Sequence, residues 1–210
     1  MPLTLSPGVS YCLVAGRTIF LDLVNDRYQS ARHDLFDTEI AEAELDQLRR
    51  RGLIMGEGRF SAPPPLPDTL EPLADDKDAV TEARAIDCAM AMRAQLRATY
   101  RLHRRGLSRS INVLLSNKIA DCDVAGELED GHRQTAAAFA KISPFFTNSR
   151  ACLTRSLALV DRLTARRLGA ALIIGVKAAP FSAHAWVQAG HTVLNDSFDV
   201  VREYSPIAKF

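Results

Sequence analysis

The segment AHAWVQAGHTVLND, residues 183–196, predicts a β-hairpin near the end of the chain. His184 lies six residues before Gly190, and Asp196 lies six residues after it. With a three-residue loop at 189–191, His184 and Asp196 would be directly opposed on one face, with Cβ atoms about 4.5–5.5 Å apart. A two-residue loop would place them on opposite faces, because side chains alternate along a strand. We therefore predict the three-residue loop and a carboxylate that orients the imidazole.

A candidate nucleophile lies on the helix that precedes this hairpin. The segment SRACLTRSLALVDRLTARRLG, residues 149–169, predicts a helix with Ser149 as its N-cap and Gly169 at its end. Cys152 would then lie in the first turn, at position N3, where free N–H groups and the positive end of the helix dipole lower the pKa of a thiol. A thiolate that faces His184 and Asp196 is the arrangement of thiol acyl-transfer enzymes. The backbone N–H of Cys152 would also help to bind the oxyanion.

These three residues also admit other interpretations. A cysteine on a helix is commonly a small core residue, and a histidine on a strand commonly serves a structural hydrogen bond. Cys152, His184 and Asp196 would suffice for a catalytic zinc site, but no H-E-x-x-H or C-x-x-C motif accompanies them, so we predict no metal. The remaining cysteines lie in an apolar strand, in an Ala/Met-rich helix and between two aspartates, and we predict no nucleophile among them: Cys12, Cys88 and Cys122.

Composition excludes several classes of protein. The 210 residues are 47% hydrophobic and 24% charged, an ordinary globular balance, and the formal net charge is +1. This charge gives no electrostatic reason to bind nucleic acid or a membrane. No apolar run reaches the length of a membrane span, and no secretion signal is evident at the N-terminus, so we expect a cytoplasmic protein. The absence of a G-x-x-x-x-G-K-[ST] motif argues against an ATP site.

The chain divides into three parts by composition. Residues 1–55 predict two strands around a tight turn, a third strand RYQSA from Arg27, and a helix over about 38–51. Residues 56–76 contain five of the ten prolines and predict a semi-rigid linker. Residues 77–210 predict a helical region, then a buried strand at 171–176 and the hairpin. The fold class is therefore α+β, with a small N-terminal domain and a larger C-terminal one.

A longer segment from Cys152 to Asp196 carries a resemblance to a known family. It contains CLTRSLAL, a strand ending in IGV, then FSAHAWV and a downstream ND. In these words it resembles the transglutaminase-like, papain-like cysteine peptidase domain of lasso-peptide maturation proteins. The resemblance implies Cys152 as nucleophile, His184 as general base and acid, and Asp196 as the orienting carboxylate.

The N-terminal part resembles a second unit that accompanies this family. FLDLVNDRY, residues 20–28, is similar to the RiPP recognition element, a small winged helix-turn-helix domain that binds the leader of a ribosomally made, post-translationally modified peptide. The resemblance implies that the leader adds as an extended strand along the third strand, at Arg27, Tyr28, Gln29 and Ser30.

Together these resemblances imply a leader peptidase. It would cleave the leader from a precursor peptide and free the core N-terminus for lasso macrolactam formation by a separate ATP-dependent cyclase. The chain itself would bind no cofactor. Three alternatives stay open: a transglutaminase-type acyl transferase, a leader-binding adaptor without catalysis, and a transcription factor, although the near-neutral charge argues against the last.

Overall fold

The N-terminal unit is a small antiparallel sheet with one helix. The structure is a computed structural model, and it describes residues 3–31, 42–57, 72, 74–75, 82–117, 128–147 and 150–210. The elements in chain order are β1 (Thr4–Leu5), β2 (Val9–Val14), β3 (Arg17–Asp22), β4 (Arg27–Ala31), α1 (Glu42–Arg50) and β5 (Ile54–Met55). The strands β2, β3 and β4 form one sheet in that order, and β1 pairs with β5. The predicted strands and helix are confirmed here, whereas the expected helix start near residue 38 lies outside the described residues.

The two faces of this N-terminal sheet are buried against different partners. Phe20 points to one face and packs with Leu45 and Leu48 of α1. Ile19 and Leu21 point to the other face and belong to the main core of the C-terminal part. This alternation follows from the period of two along β3. The N-terminal sheet is therefore in direct contact with the rest of the protein. Most of the predicted linker, 58–71, lies outside the described residues.

The C-terminal part packs its longer helices on one side of a mixed sheet. After β6 (Ala74–Asp75) its elements are α2 (Ala85–Asn117), α3 (Asp130–Ile142), a 3₁₀ turn (Ser143–Phe145), α4 (Ala151–Ala165), β7 (Ala171–Ala178), β8 (Phe181–Ala189), β9 (Thr192–Val193), α5 (Phe198–Val201) and β10 (Ser205–Lys209). Within α2 two helical segments meet at a kink at Gly106, whose φ of 74° and ψ of 179° are not helical. In the part of the chain that the structure describes, no helix is both long and apolar enough to cross a membrane.

The sheet beside these helices places the candidate site. Its strand order is β10-β7-β8-β9-β6, with β6 parallel to β9 and the other pairs antiparallel. From its sequence the segment KAAPFS, residues 177–182, predicts a loop, and this prediction is wrong, because β7 and β8 extend into it and leave a two-residue turn. Helix α4 packs against β8. Its first turn and the middle of β8 therefore lie close together.

Candidate active site

His184 and Asp196 meet, but not through the predicted register. The structure pairs Gln188 with Val193 and Ala189 with Thr192, so the hairpin has a two-residue turn and the three-residue loop is wrong. The ladder ends at Val193, and the chain then leaves the strand direction. The direction of the Asp196 side chain is therefore not set by the alternation of side chains along a strand. Its Oδ2 lies 2.7 Å from His184 Nε2.

The strand β9 ends at Val193, and beyond it individual hydrogen bonds hold the chain against the edge of β8. Leu194 donates its backbone N–H to the carbonyl of Val187 at 2.9 Å, and the Val187 N–H donates to Asn195 Oδ1 at 2.8 Å. The Asn195 amide donates to Ser156 Oγ at 2.9 Å, and this hydroxyl donates to the Ala185 carbonyl at 2.9 Å. Asn195 thus fixes the chain at the residue directly before Asp196.

Sequence reasoning missed the roles of Asn195 and Ser156. Both lie within the words that carried the resemblance, ND and CLTRS, but neither residue type indicates chemistry of its own. Ser156 is completely buried in α4, and a buried hydroxyl in a helix calls for a partner outside that helix. That burial, which needs a structure to be seen, is the signal that could have found it.

The carboxylate of Asp196 is held by both of its oxygens. Oδ1 accepts a hydrogen bond from the Ser197 backbone N–H at 2.8 Å, and Oδ2 bonds His184. Ser197 is in turn the N-cap of α5, and the next N–H, of Phe198, donates to Asp75 Oδ2 at 2.6 Å. The orientation of the carboxylate is therefore fixed by the backbone around it.

Cys152 lies in the first turn of α4, one position earlier than predicted. The N-cap is Arg150, so Cys152 is the second helical residue; Ser149 lies outside the described residues. The N–H groups of a first turn have no partner within the helix, and they carry the positive end of its dipole. The environment expected for a thiolate is thus present at N2.

The electrostatics of Cys152 and His184 favour a thiolate–imidazolium pair. Burial by itself would raise the pKa of the Cys152 thiol, but hydrogen bonds from His184 and from the backbone of Ala185 and Leu153, with the His184 charge, leave it below its ordinary value. Burial would lower the pKa of His184, yet hydrogen bonds to Asp196 and Cys152 and their charges raise it to about 9. Because Asp196 occupies Nε2, the ring nitrogen that remains for Cys152 is Nδ1.

Two aromatic rings pack near the imidazole of His184 on the same face of the sheet. Tyr204 lies with its ring centroid 5.2 Å from that of His184, and Trp186 lies at 6.3 Å with nearly parallel planes. Gly175 is paired with His184 across the ladder, and a Cβ there would lie 2.7 Å from the Trp186 ring and 2.9 Å from Tyr204 Cβ. The absence of a side chain at 175 makes room for both rings.

Substitution of Gly175 by alanine is expected to destabilise the protein and impair the site. Trp186 is almost completely buried. Overpacking of this kind costs about 1–3 kcal/mol, and displacement of Tyr204 would disturb His184. Thermal unfolding should show a lower midpoint for Gly175→Ala. An unchanged midpoint would contradict the tight contact.

Thiol labelling tests the electrostatics directly. At neutral pH, iodoacetamide is expected to label Cys152 before Cys12, because the thiolate is the reacting form and burial raises the pKa of Cys12 to about 12. In a His184→Ala variant, labelling of Cys152 should slow, since the hydrogen bond and the charge of His184 lower the pKa of this thiol. Cys12 is the internal control. Equal labelling of Cys152 in both variants would show that His184 does not stabilise its thiolate.

The remaining predicted residues are placed as follows. Cys88 is half-buried in α2 and packs against the main core, and Cys122 lies outside the described residues. No group of three His, Cys, Asp or Glu side chains that could hold a metal is found within the described ranges. Residues 27–30 form β4, which pairs with β3 at one edge of the N-terminal sheet.

The strand β4 also reaches the candidate site. Asp26, in the turn before β4, forms an ion pair at 3.0 Å with Arg150, the N-cap of α4. Burial raises the pKa of Tyr28 to about 12, and the charges of Asp26 and Cys152 add to this shift. The ring of Tyr28 packs edge-on against Phe181 of β8 at 5.5 Å. The predicted leader-binding strand therefore lies beside the predicted nucleophile.

A cysteine in the first turn of a helix, packed on a sheet that carries His184, with Asp196 just beyond the end of β9, is the arrangement of a papain-like class of site. The family model described as "Transglutaminase-like superfamily" matches residues 82–209, more than half of the chain, and the chain belongs to this superfamily. Among curated proteins it is similar to the microcin J25-processing protein McjB of Escherichia coli, with 43% identity over 58 residues. That match covers 28% of this chain and 28% of McjB, so the chain matches well under half of that relative's length. No solved structure matches the chain.

Proposed function

We propose that the chain is a cysteine peptidase that removes the leader from a ribosomally made precursor peptide and frees the core N-terminus for lasso macrolactam formation. The observation that carries this proposal is the contact series Cys152–His184–Asp196, with the thiol pKa lowered and the imidazole pKa raised. The similarity to McjB, a microcin J25-processing protein, supports peptide processing as the role of the site.

The proposed reaction follows from the charges of the pair. The Cys152 thiolate attacks the carbonyl of the last leader residue, and the oxyanion is met by the N–H groups of the first turn of α4. The His184 imidazolium gives its proton to the leaving amine, which becomes the free N-terminus of the core. A thioester between Cys152 and the leader remains.

Hydrolysis of the thioester completes the cycle. His184, now neutral, accepts a proton from water as the water attacks the thioester carbonyl. The leader leaves as a free carboxylate, and the thiolate–imidazolium pair is restored. Asp196 stays ionised throughout and stabilises the imidazolium.

The leader would be recognised by the N-terminal sheet. An extended leader strand would pair with β4 at residues 27–30 and would gain affinity from backbone hydrogen bonds. We propose that this unit acts as a RiPP recognition element. The contacts of Asp26 and Tyr28 with the site support this arrangement, because a leader bound at β4 would enter next to Cys152.

The partners follow from the same proposal. A separate ATP-dependent cyclase would consume the new amine and close the macrolactam on a side-chain carboxylate. This chain would need no cofactor of its own, and it would act in the cytoplasm, where its precursor is made.

Mass analysis of the leader product tests this function. The wild-type chain, the precursor peptide encoded beside it and the cyclase would be expressed together in one host. A leader fragment with a free C-terminal carboxylate supports hydrolysis. A leader joined to an amine would identify an acyl transferase, and an intact precursor would favour an adaptor without catalysis.

A further inference from the structure

A groove of about 250 Å³ lies between the two parts of the chain. One wall is formed by Arg17 and Ile19 of β3 and by residues 28–30 of β4, and the other by Ala178 and Phe181 at the turn between β7 and β8. We refer to it as the composite groove, because neither the N-terminal sheet nor the C-terminal hairpin forms it alone.

The lining of the composite groove favours an apolar side chain. Ile19 is one of its apolar side chains. The rings of Tyr28 and Phe181 contact each other beside it, with their centroids 5.5 Å apart. Phe181 forms part of the groove wall, yet 53% of its surface is exposed. A single exposed phenylalanine on a convex surface needs no explanation, but one that lines a groove with other apolar side chains offers surface that a ligand can bury. Arg17 adds one positive charge to the groove.

The composite groove lies near the candidate active site. Tyr28 lines it, and the charge of Cys152 contributes to the raised pKa of that tyrosine. Phe181 precedes His184 by three residues on the same strand, a backbone separation of about 10 Å at the rise of a β-strand, and their side chains alternate to opposite faces. An extended peptide advances by a similar length per residue. About three residues of extended substrate therefore span the backbone distance from the groove wall to the position of His184.

We propose that the composite groove is the subsite for an apolar or aromatic side chain of the leader, within about three residues of the scissile bond on its acyl side. The inference rests on the proposed function, and it adds the subsite and the kind of side chain that it selects. The occupant belongs to the leader and not to the core, since the groove is formed by β4, where the leader is expected to pair. Its volume suits one or two side chains and is small for a separate ligand. The guanidinium of Arg17 would favour an acidic neighbour of that side chain.

A truncation of the groove wall tests the subsite by kinetics. Phe181→Ala in the intact chain is expected to lower kcat/KM for precursor cleavage about tenfold or more, the loss expected when a buried aromatic contact is removed. Tyr100→Ala is the matched control, because Tyr100 is an aromatic residue of α2 that is 64% exposed and does not line the groove. Equal activity of Phe181→Ala and wild type would overturn the proposal.

A double-mutant cycle identifies the occupant. Alanine would replace each of the last four leader residues in turn, and each peptide would be cleaved by wild type and by Phe181→Ala. At one leader position, alanine should slow cleavage by wild type but have little further effect on cleavage by Phe181→Ala, because the two substitutions remove the same contact. Strictly additive effects at all four positions would place Phe181 outside the substrate path and overturn the assignment.

A photocrosslinking experiment tests the proposed subsite independently of the proposed peptidase activity. In a Cys152→Ala background, a photoreactive phenylalanine analogue at position 181 would be irradiated with the precursor peptide. A crosslink to the last leader residues supports the subsite even if no variant cleaves the peptide. A crosslink confined to the core, or none at all, overturns it even if wild type is an active peptidase.

Discussion

Cys152→Ala is expected to abolish leader removal while the fold stays intact. The substitution removes the sulfur that would form the proposed thioester, and loss of a nucleophile in a catalytic triad typically costs about 10⁴- to 10⁶-fold in kcat. The side chain is half-buried at the second position of α4, where alanine is a favourable helix residue, so thermal stability should change little. The measurement is kcat on purified precursor, with unfolding followed in parallel.

Cys88→Ala provides the matched control for this experiment. Cys88 is also half-buried on a helix, and it packs against the main core. It should keep nearly full activity. If Cys152→Ala cleaved the precursor as fast as wild type, another group would be the nucleophile and the proposed mechanism would be wrong. If only Cys88→Ala lost activity, the assignment of the two cysteines would be reversed.

The sequence was informative where local patterns determine structure. The existence of β2, β3, β4 and α4 was predicted because their apolar spacing and turn residues are local signals. The contact between His184 and Asp196 was also predicted, although for a reason that the structure corrects. A two-residue turn fits the ladder, and only the departure of the chain after Val193 lets Asp196 reach the imidazole.

The rest depended on contacts between distant segments. Ser156 and Asn195 are 39 residues apart, and nothing in either local sequence shows that they bond across the edge of β8. The same holds for Asp26 and Arg150, which join the N-terminal sheet to the nucleophile helix across 124 residues. Such pairs are fixed by the packing of sheets and helices, so sequence periodicity does not reveal them. Two segments that read as separate parts of the chain therefore proved to be adjacent at the candidate site.

A large loss of activity is also expected for Asp196→Asn. The hydrogen bonds around the carboxylate explain why activity should fall. The Ser197 N–H requires an acceptor at Oδ1, so the asparagine oxygen would stay there and its NH₂ group would face His184 Nε2. Nε2 would then have to accept, and the proton of the neutral ring would move to Nδ1, the nitrogen that serves Cys152. That is the wrong tautomer for accepting a proton from water or thiol. A comparable change in a serine protease triad lowers kcat about 10⁴-fold, and we expect a loss of at least about 10²-fold here.

The pH profile distinguishes this effect from a general disturbance of the site. In wild type, His184 must be protonated to release the core amine, so kcat/KM should fall as pH rises through about 9, the pKa of that imidazole. Asp196→Asn removes a carboxylate that raises this pKa, and the alkaline limb should move to lower pH. Asp199→Asn is the control, since Asp199 carries the same charge three residues further on and its side chain is 80% exposed. An Asp196→Asn variant with wild-type activity and an unmoved alkaline limb would show that the carboxylate does not orient His184. The contact at 2.7 Å would then be structural, and the base would have to be held in place by Tyr204 and Trp186 alone.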